Sequence, residues 1–363
     1  MFLRQLEYLV SLARHQNFSR AALHCNVSQP TLSNAIRQLE LELGATIVLR
    51  HQRFQGLTPE GQRIVEWSKR ILSDRNSMLQ ELSGLRNRLS GQLRLGAMPT
   101  STPVLPYINR RFLDAHPDTH IDVSFLGSEA LRTKLTNFEL DVGITYIDQE
   151  QPPPLQRHPL YKEHLSLLIP QQASFAATSE MTWAEAAKLR LCLLPPHMHE
   201  RRVIDAAFAS VGATPVALVE SDSLANLAFH TMFSGLATIV PRHFELVVGA
   251  FPGTRVVPLV APEVTRQVGL VWVDGDPMLP MAKALLVMLK PLCASGDPVT
   301  WFRQEEAAPP RAGSAGATRL RAERGSGRAQ VPPAAPAAGE ARQALLQSLP
   351  VTAYVGSDKP ATS

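Results

Sequence analysis

Ser28-Gln29-Pro30-Thr31-Leu32-Ser33-Asn34-Ala35-Ile36-Arg37-Gln38-Leu39-Glu40 decides how the amino end of this 363-residue chain folds. Leu32, Ile36, Leu39 and Leu43 recur at spacings of four, three and four, so the stretch predicts a helix with one apolar stripe. Ser28 is a good N-cap. Pro30 falls in the first turn, where a missing N–H costs nothing. The opposite face carries Gln29, Thr31, Ser33, Asn34 and Arg37, side chains that hydrogen-bond base edges or phosphates, and no acid occurs there before Glu40. Upstream, Ser19-Arg20-Ala21-Ala22-Leu23-His24-Cys25 predicts a second short helix. Asn26-Val27-Ser28 then reads as the tight turn of a helix-turn-helix.

Outward from this unit, Leu3, Leu6, Leu9, Val10 and Ala13 predict a first helix, with Phe18 and Ser19 as staple and cap of the next. Gly44 is placed to end the central helix. Residues 46–50 and 57, around a turn at 51–56, predict a small β-hairpin, or wing, that carries Arg50 and Arg53. Thr58-Pro59-Glu60-Gly61 opens a long helix expected to run to Gly84 and on to Leu89. Ile64, Trp67, Ile71, Met78, Leu82, Leu85 and Leu89 approximate a 3.5-residue repeat, interrupted by Arg75, which predicts a dimerising coiled coil.

Charge is unevenly spread. Residues 1–90 hold 12 Lys and Arg against 7 Asp and Glu, residues 91–302 hold 16 against 20, and residues 303–363 hold 8 against 5. A basic start on an acidic body points to a polyanion partner for the first segment only. Cys25, Cys192 and Cys293 are far apart and form no C-x-x-C, which argues against a disulfide framework or zinc site and suits a reducing compartment. No run is apolar enough to span a membrane, and the first residues read as an amphipathic helix rather than a secretion leader, so a cytoplasmic protein is expected.

From residue 91 strands alternate with helices, which predicts βαβ units and a largely parallel sheet. Strands at 164–170 and 265–273 bracket a segment with its own βα rhythm, so the chain is expected to leave one lobe, build a second and return. Ligands of open α/β sheets bind beyond the carboxyl ends of strands, near helix N-termini. Thr100, Ser101 and Thr102 lie just after a strand and before a helix, and hydroxyls there beside free N–H groups suit an anion. Ile144 and Thr145 are expected on the floor. His197 and Met198, Ser221 and Asp222, and Phe233 and Ser234 are expected on the facing wall. His197 and His199 lack the carboxylate or cysteine company of a metal site, so no metal is expected. No nucleophile elbow, phosphate loop or dinucleotide fingerprint follows a strand, so neither enzymatic activity nor a cofactor is expected.

The chain resembles the LysR-type transcriptional regulators. The resemblance rests on Phe18-Ser19-Arg20-Ala21-Ala22, Val27-Ser28-Gln29-Pro30-Thr31-Leu32-Ser33, Ile36-Arg37-Gln38-Leu39-Glu40, Leu43-Gly44, Arg50 and Leu57-Thr58-Pro59-Glu60-Gly61. Asn34 stands where many members carry a long polar residue, and Ile47-Val48 replace the usual Leu-Phe. The resemblance covers residues 1 to about 300. It implies an N-terminal all-α winged helix-turn-helix (1–58), a long linker helix (59–90) and an α/β effector domain (91–295). That domain would have two Rossmann-like lobes, of the type II periplasmic-binding-protein kind. Lobe 1 is expected at about 91–163 and 265–295, and lobe 2 at about 164–264. The loop of Thr100, Ser101 and Thr102 is where the family places its ligand. The expected partners are double-stranded promoter DNA, a small anionic effector and further copies of the chain in a homodimer or homotetramer. RNA polymerase is expected as an indirect partner, and no membrane is expected. Gln29, Pro30, Thr31, Ser33, Asn34 and Arg37 are the expected major-groove residues, Ser28 a cap and phosphate contact, and Arg50 and Arg53 phosphate or minor-groove contacts. The alternative is a solute-binding or enzymatic α/β protein whose N-terminal helices only oligomerise. Residues 303–363, rich in Ala, Pro, Gly and Arg, are expected to be a disordered tail.

Overall fold

Three helices and a hairpin form around the apolar stripes read above. In the computed structural model these are α1 (Leu3–His15), α2 (Phe18–His24), α3 (Gln29–Leu43), β1 (Val48–His51) and β2 (Arg53–Leu57). The structure describes the chain except residues 52, 86–88, 149–152, 172–178, 276, 295 and 307–363. Leu6, Leu9, Leu12, Leu32, Ile36 and Leu39 are buried together. Leu43 departs from the expected stripe and is 42% exposed, because α3 ends there at left-handed Gly44 and its last turn overhangs the core. Asn17, rather than Ser19, caps α2, its side chain accepting from the Arg20 amide. Phe18 meets Phe54 of the wing edge-on.

Thr58 ties the wing to the next helix, α4 (Pro59–Leu85). Its hydroxyl donates to the Thr46 carbonyl at 2.6 Å and accepts from the Gly61 amide at 2.9 Å. A Cβ on Gly61 would sit 2.2 Å from the Ile47 carbonyl oxygen, so only glycine lets α4 lie this close to the hairpin. The helix is described as far as Leu85, residues 86–88 lie outside the described residues, and the expected end at Leu89 is not helical. Leu89 instead packs on the core of the following domain. No helix among the described residues is long and apolar enough to cross a membrane.

The remaining chain builds two α/β lobes. The first uses β3 (Gly91–Ala97), α5 (Leu105–Ala115), β4 (Thr119–Phe125), α6 (Ser128–Thr136) and β5 (Val142–Tyr146). A long strand β6 (Leu155–Pro170) then crosses into the second lobe, which adds β7 (Met181–Thr182), α7 (Trp183–Ala186), β8 (Leu191–Leu193), α8 (His199–Ser210), β9 (Ala217–Glu220), α9 (Leu224–Ser234), β10 (Thr238–Pro241) and β11 (Thr254–Val260). The chain returns through β12 (Thr265–Val273) and closes with α10 (Pro280–Leu289) and α11 (Pro298–Glu306).

The sheet is mixed rather than largely parallel. β3, β4 and β5 run parallel, but β12 is antiparallel to both β5 and β6, and β10 and β11 are antiparallel to β6. A chain that leaves one lobe and comes back needs two crossover strands of opposite direction, and these pair with each other. β6 begins well before residue 164: its first half pairs with β12 in lobe 1, its second half with β10 and β11 in lobe 2. β11 has no counterpart in the sequence reading. Beyond the expected end of the effector domain at 295, α11 inserts Trp301, fully buried, against Tyr107 and Tyr161. Of the expected tail at 303–363, residues 303–306 belong to α11, and residues 307–363 lie outside the described residues.

Candidate nucleic-acid interface and effector cleft

Helix α3 turns its polar side outward. Ser28, Gln29, Pro30, Thr31, Asn34 and Arg37 are exposed and Ser33 is half-buried. Ser28 Oγ accepts from the Thr31 amide at 3.3 Å and shares a 2.7 Å hydrogen bond with the Thr31 hydroxyl, so the cap also orients Thr31. Ser19 donates to Gln29 Oε1 at 3.3 Å, fastening α2 to the start of α3. Arg37 makes no ion pair among the described residues and lines a shallow groove with Leu41, Gly44 and Thr46. The backbones of Arg50 and Arg53 lie in the wing hairpin, but their side chains lie outside the described structure. Glu40 has a role that its spacing does not announce: its Oε1 accepts from the amides of Ile47 and Val48 at 2.9 and 3.0 Å. One carboxylate thus sets the wing against the recognition helix.

A cleft of about 1120 Å³ separates the lobes. The starts of three helices open on it: Gly127 and Ser128 of α6, Met198 and His199 of α8, and Ser223 and Leu224 of α9. First-turn N–H groups have no intrahelical acceptor, and neither α6 nor α8 has an N-cap side chain to serve them. Arg132 from lobe 1 and Arg202 from lobe 2 line the same space, and neither makes an ion pair among the described residues. Glu129 and Asp222 are exposed acids on its rim. Burial first, then Arg266, Arg202 and Arg132, hold His199 below its ordinary pKa. Neutral His199 accepts from Arg266 through Nε2 at 3.4 Å.

The expected effector residues divide into layers. Thr102, His197, Met198 and Asp222 line the cleft. Thr145 lies behind it, donating to Ser128 at 2.8 Å and so holding the first residue of α6. Ile144 belongs to the lobe 1 core. Ser101 is buried and bonds to the Tyr161 hydroxyl at 3.4 Å. Ser221 accepts from Ser223 and Asn226 and shapes the turn before α9. Phe233 and Ser234 are not brought to the cleft. They occupy the far end of α9, about 15 Å along its axis from the end that lines it, and Phe233 stacks on Phe229. Sequence reasoning does not reach Arg132, Arg202, Ser128 or His199 as cleft residues. No local spacing marks them, since their role comes from two lobes meeting.

Beneath the cleft lies a buried polar layer shared by both lobes. Tyr146 donates to Glu163 Oε1, and burial lifts Glu163 to about 7 despite the Tyr146 and Thr100 hydroxyls beside it. Glu200, the second residue of α8, is also raised by burial. His243 is pushed down to about 4 by burial and, being neutral, donates Nε2–H to the Thr100 carbonyl at 2.9 Å, joining lobe 2 to lobe 1. Arg266 lies over the Tyr146 ring at 5.3 Å and pairs with Asp148 at 2.7 Å.

Comparison with known proteins agrees with this architecture. Residues 3–62 match the family description "Bacterial regulatory helix-turn-helix protein, lysR family", and residues 86–294 match "LysR substrate binding domain". The chain is 29% identical over 280 residues to the hydrogen peroxide-inducible genes activator of Haemophilus influenzae, covering 77% of this chain and 92% of that protein. A full-length variant of OxyR from Pseudomonas aeruginosa superposes with a TM-score of 0.63 at 27% identity, over 80% of this chain and 94% of that one. CbnR complexed with its target DNA shares the fold, with a TM-score of 0.59 at 20% identity over 80% of this chain and 100% of that one. With both of its halves matched in order, the chain belongs to the LysR family of DNA-binding transcriptional regulators that carry an effector-binding domain.

Proposed function

We propose that this regulator reads partly palindromic promoter DNA as a dimer of dimers and responds to a small anion held between its lobes. The observation that carries the ligand reading is the convergence on one cleft of three helix N-termini and two arginines that form no ion pair among the described residues. Helix starts present N–H groups and positive potential, and guanidinium groups match carboxylate or phosphate oxygens. Thr102, His197 and Met198 line the anion's surroundings, and Thr100 and Thr145 support them from below. Arg132 and Arg202 come from opposite lobes, so an anion between them favours closure. Closure would shift a pre-existing equilibrium of quaternary arrangements and alter DNA bending and polymerase access.

On the DNA side, Gln29, Pro30, Thr31, Ser33, Asn34 and Arg37 enter the major groove, Ser28 meets phosphate, and Arg50 and Arg53 follow the backbone or minor groove. Trp67, Met78, Leu82 and Leu85 remain exposed along α4. Their near-heptad spacing makes that face the seam to a second copy. The peroxide response in the name of the H. influenzae relative does not transfer to a thiol of the effector domain here. Cys192 is buried and pushed up to about 11, and Cys293 is also raised by burial, so neither is the accessible thiolate that peroxide chemistry needs.

The test is a mobility-shift titration on upstream DNA at graded salt, with wild type and an R132A/R202A variant. Affinity should fall steeply with salt in both. Small organic anions should change the shift of wild type only. A variant that responds like wild type would move the anion site elsewhere.

A further inference from the structure

We infer that the floor of the cleft is an amine subsite, so that the effector is a zwitterion whose protonated amine sits between Glu163 and Glu200. This rests on the anionic reading above and supplies the other half of the same ligand.

Several oxygens buried between the lobes are short of donors. Glu163 is fully buried, Glu200 is 2% exposed and Thr100 is 4% exposed. Glu163 Oε2, both carboxyl oxygens of Glu200 and the Thr100 hydroxyl have no well-formed hydrogen bond among the described residues. These four atoms come from both lobes: Thr100 from the turn after β3, Glu163 from crossover strand β6, and Glu200 from the first turn of α8. Buried polar groups are almost always paired, and an unpaired acid is costly to bury. Arg266 pairs with Asp148 and lies against His199 and the Tyr146 ring, and makes no ion pair with Glu163 or Glu200 among the described residues. An ammonium group offers three N–H bonds to this acceptor set.

Two of the acceptor residues are neighbours in the chain of residues at the anion site. Pro99 and Thr102, on either side of Thr100, line the cleft, as does His199, which precedes Glu200. Thr100 and Glu200 thus adjoin wall residues in the chain, while they and Glu163 are buried and do not line the cleft themselves. An α-amino acid, with its amine one carbon from its carboxylate, has the matching arrangement of charges. Glu163 is faced by Tyr146, Tyr161, Thr100, Glu200 and Arg266. Burial keeps it partly protonated near neutral pH, and an arriving ammonium would favour the ionised form, so binding releases a proton to solvent.

Calorimetry on the full chain tests this with matched probes: L-serine against L-glycerate, L-aspartate against L-malate, and L-glutamate against L-2-hydroxyglutarate. Each pair keeps the anion and exchanges ammonium for hydroxyl. The amino acid of at least one pair should bind about tenfold or more tighter. That preference should collapse in E163Q/E200Q while the hydroxy acid keeps its affinity. Titrations at pH 7 in two buffers of different ionisation enthalpy should show proton release for the amino acid alone. If the double variant does not fold, E163Q and E200Q are read singly by the same ratio. Equal binding of both members of every pair, or a preference untouched by the variants, overturns the amine subsite and leaves the anion site standing. Binding of none of the six overturns both.

Discussion

Removing the Glu40 carboxylate should disconnect the wing from the recognition helix. Two amides, Ile47 N and Val48 N, donate to one oxygen at 2.9 and 3.0 Å. Ile47 and Val48 are 0% and 2% exposed, so water cannot replace the acceptor. Each buried donor left unpaired costs about 1–3 kcal/mol, so Glu40→Ala should lose about 4 kcal/mol locally. Glu40→Gln keeps an acceptor but loses the charge assistance, and should lose about 1–2 kcal/mol. The assay is hydrogen exchange at the Ile47 and Val48 amides, alongside promoter affinity. A loss of about 4 kcal/mol accelerates exchange roughly a thousandfold, at about 1.4 kcal/mol per factor of ten. Promoter affinity should fall because wing and helix no longer engage the duplex at a fixed spacing. Exchange within tenfold of wild type in Glu40→Ala would refute the bracing role.

Arg37→Ala should weaken promoter binding by about 1–3 kcal/mol with relaxed sequence preference if it reads a base, and nearly uniformly across sequences if it holds phosphate; unchanged affinity in a mobility-shift assay rejects both roles. Met78→Glu with Leu82→Glu places charge on the exposed face of α4 and should lower the oligomeric mass seen by light scattering, whereas an unaltered mass would put the seam elsewhere. Glu163 is lifted by burial from 4.5 to about 7. An acid raised on folding leaves the native state less stable as pH climbs through that window, by about 3 kcal/mol in full, so E163Q should flatten the stability curve between those values. A wild-type curve already flat there would contradict the burial argument. Cys192→Ser should leave promoter binding unresponsive to added peroxide, as in wild type; a peroxide response that the substitution abolishes would restore the thiol reading.

Local chemistry carried a large part of this protein into view. The Ser28 cap, the Leu32, Ile36 and Leu39 stripe and the Thr58-Pro59-Glu60-Gly61 start are written in residues three or four apart, because a helix satisfies its backbone and sorts its faces within one turn. The βα rhythm from residue 91 marked two lobes for the same reason. Long-range pairing alone decided the rest. The full length of β6, the strand β11 and the place of Trp301 depend on partners about a hundred residues away in the chain, and no periodicity records them. The proposed ligand site divides the same way. Thr102, His197 and Met198 were legible as residues before helices, whereas Arg132, Arg202, Glu163 and Glu200 are unremarkable along the chain. The second lobe folds back over the first and brings Arg132 and Arg202 to one cleft and Glu163 and Glu200 to one buried layer.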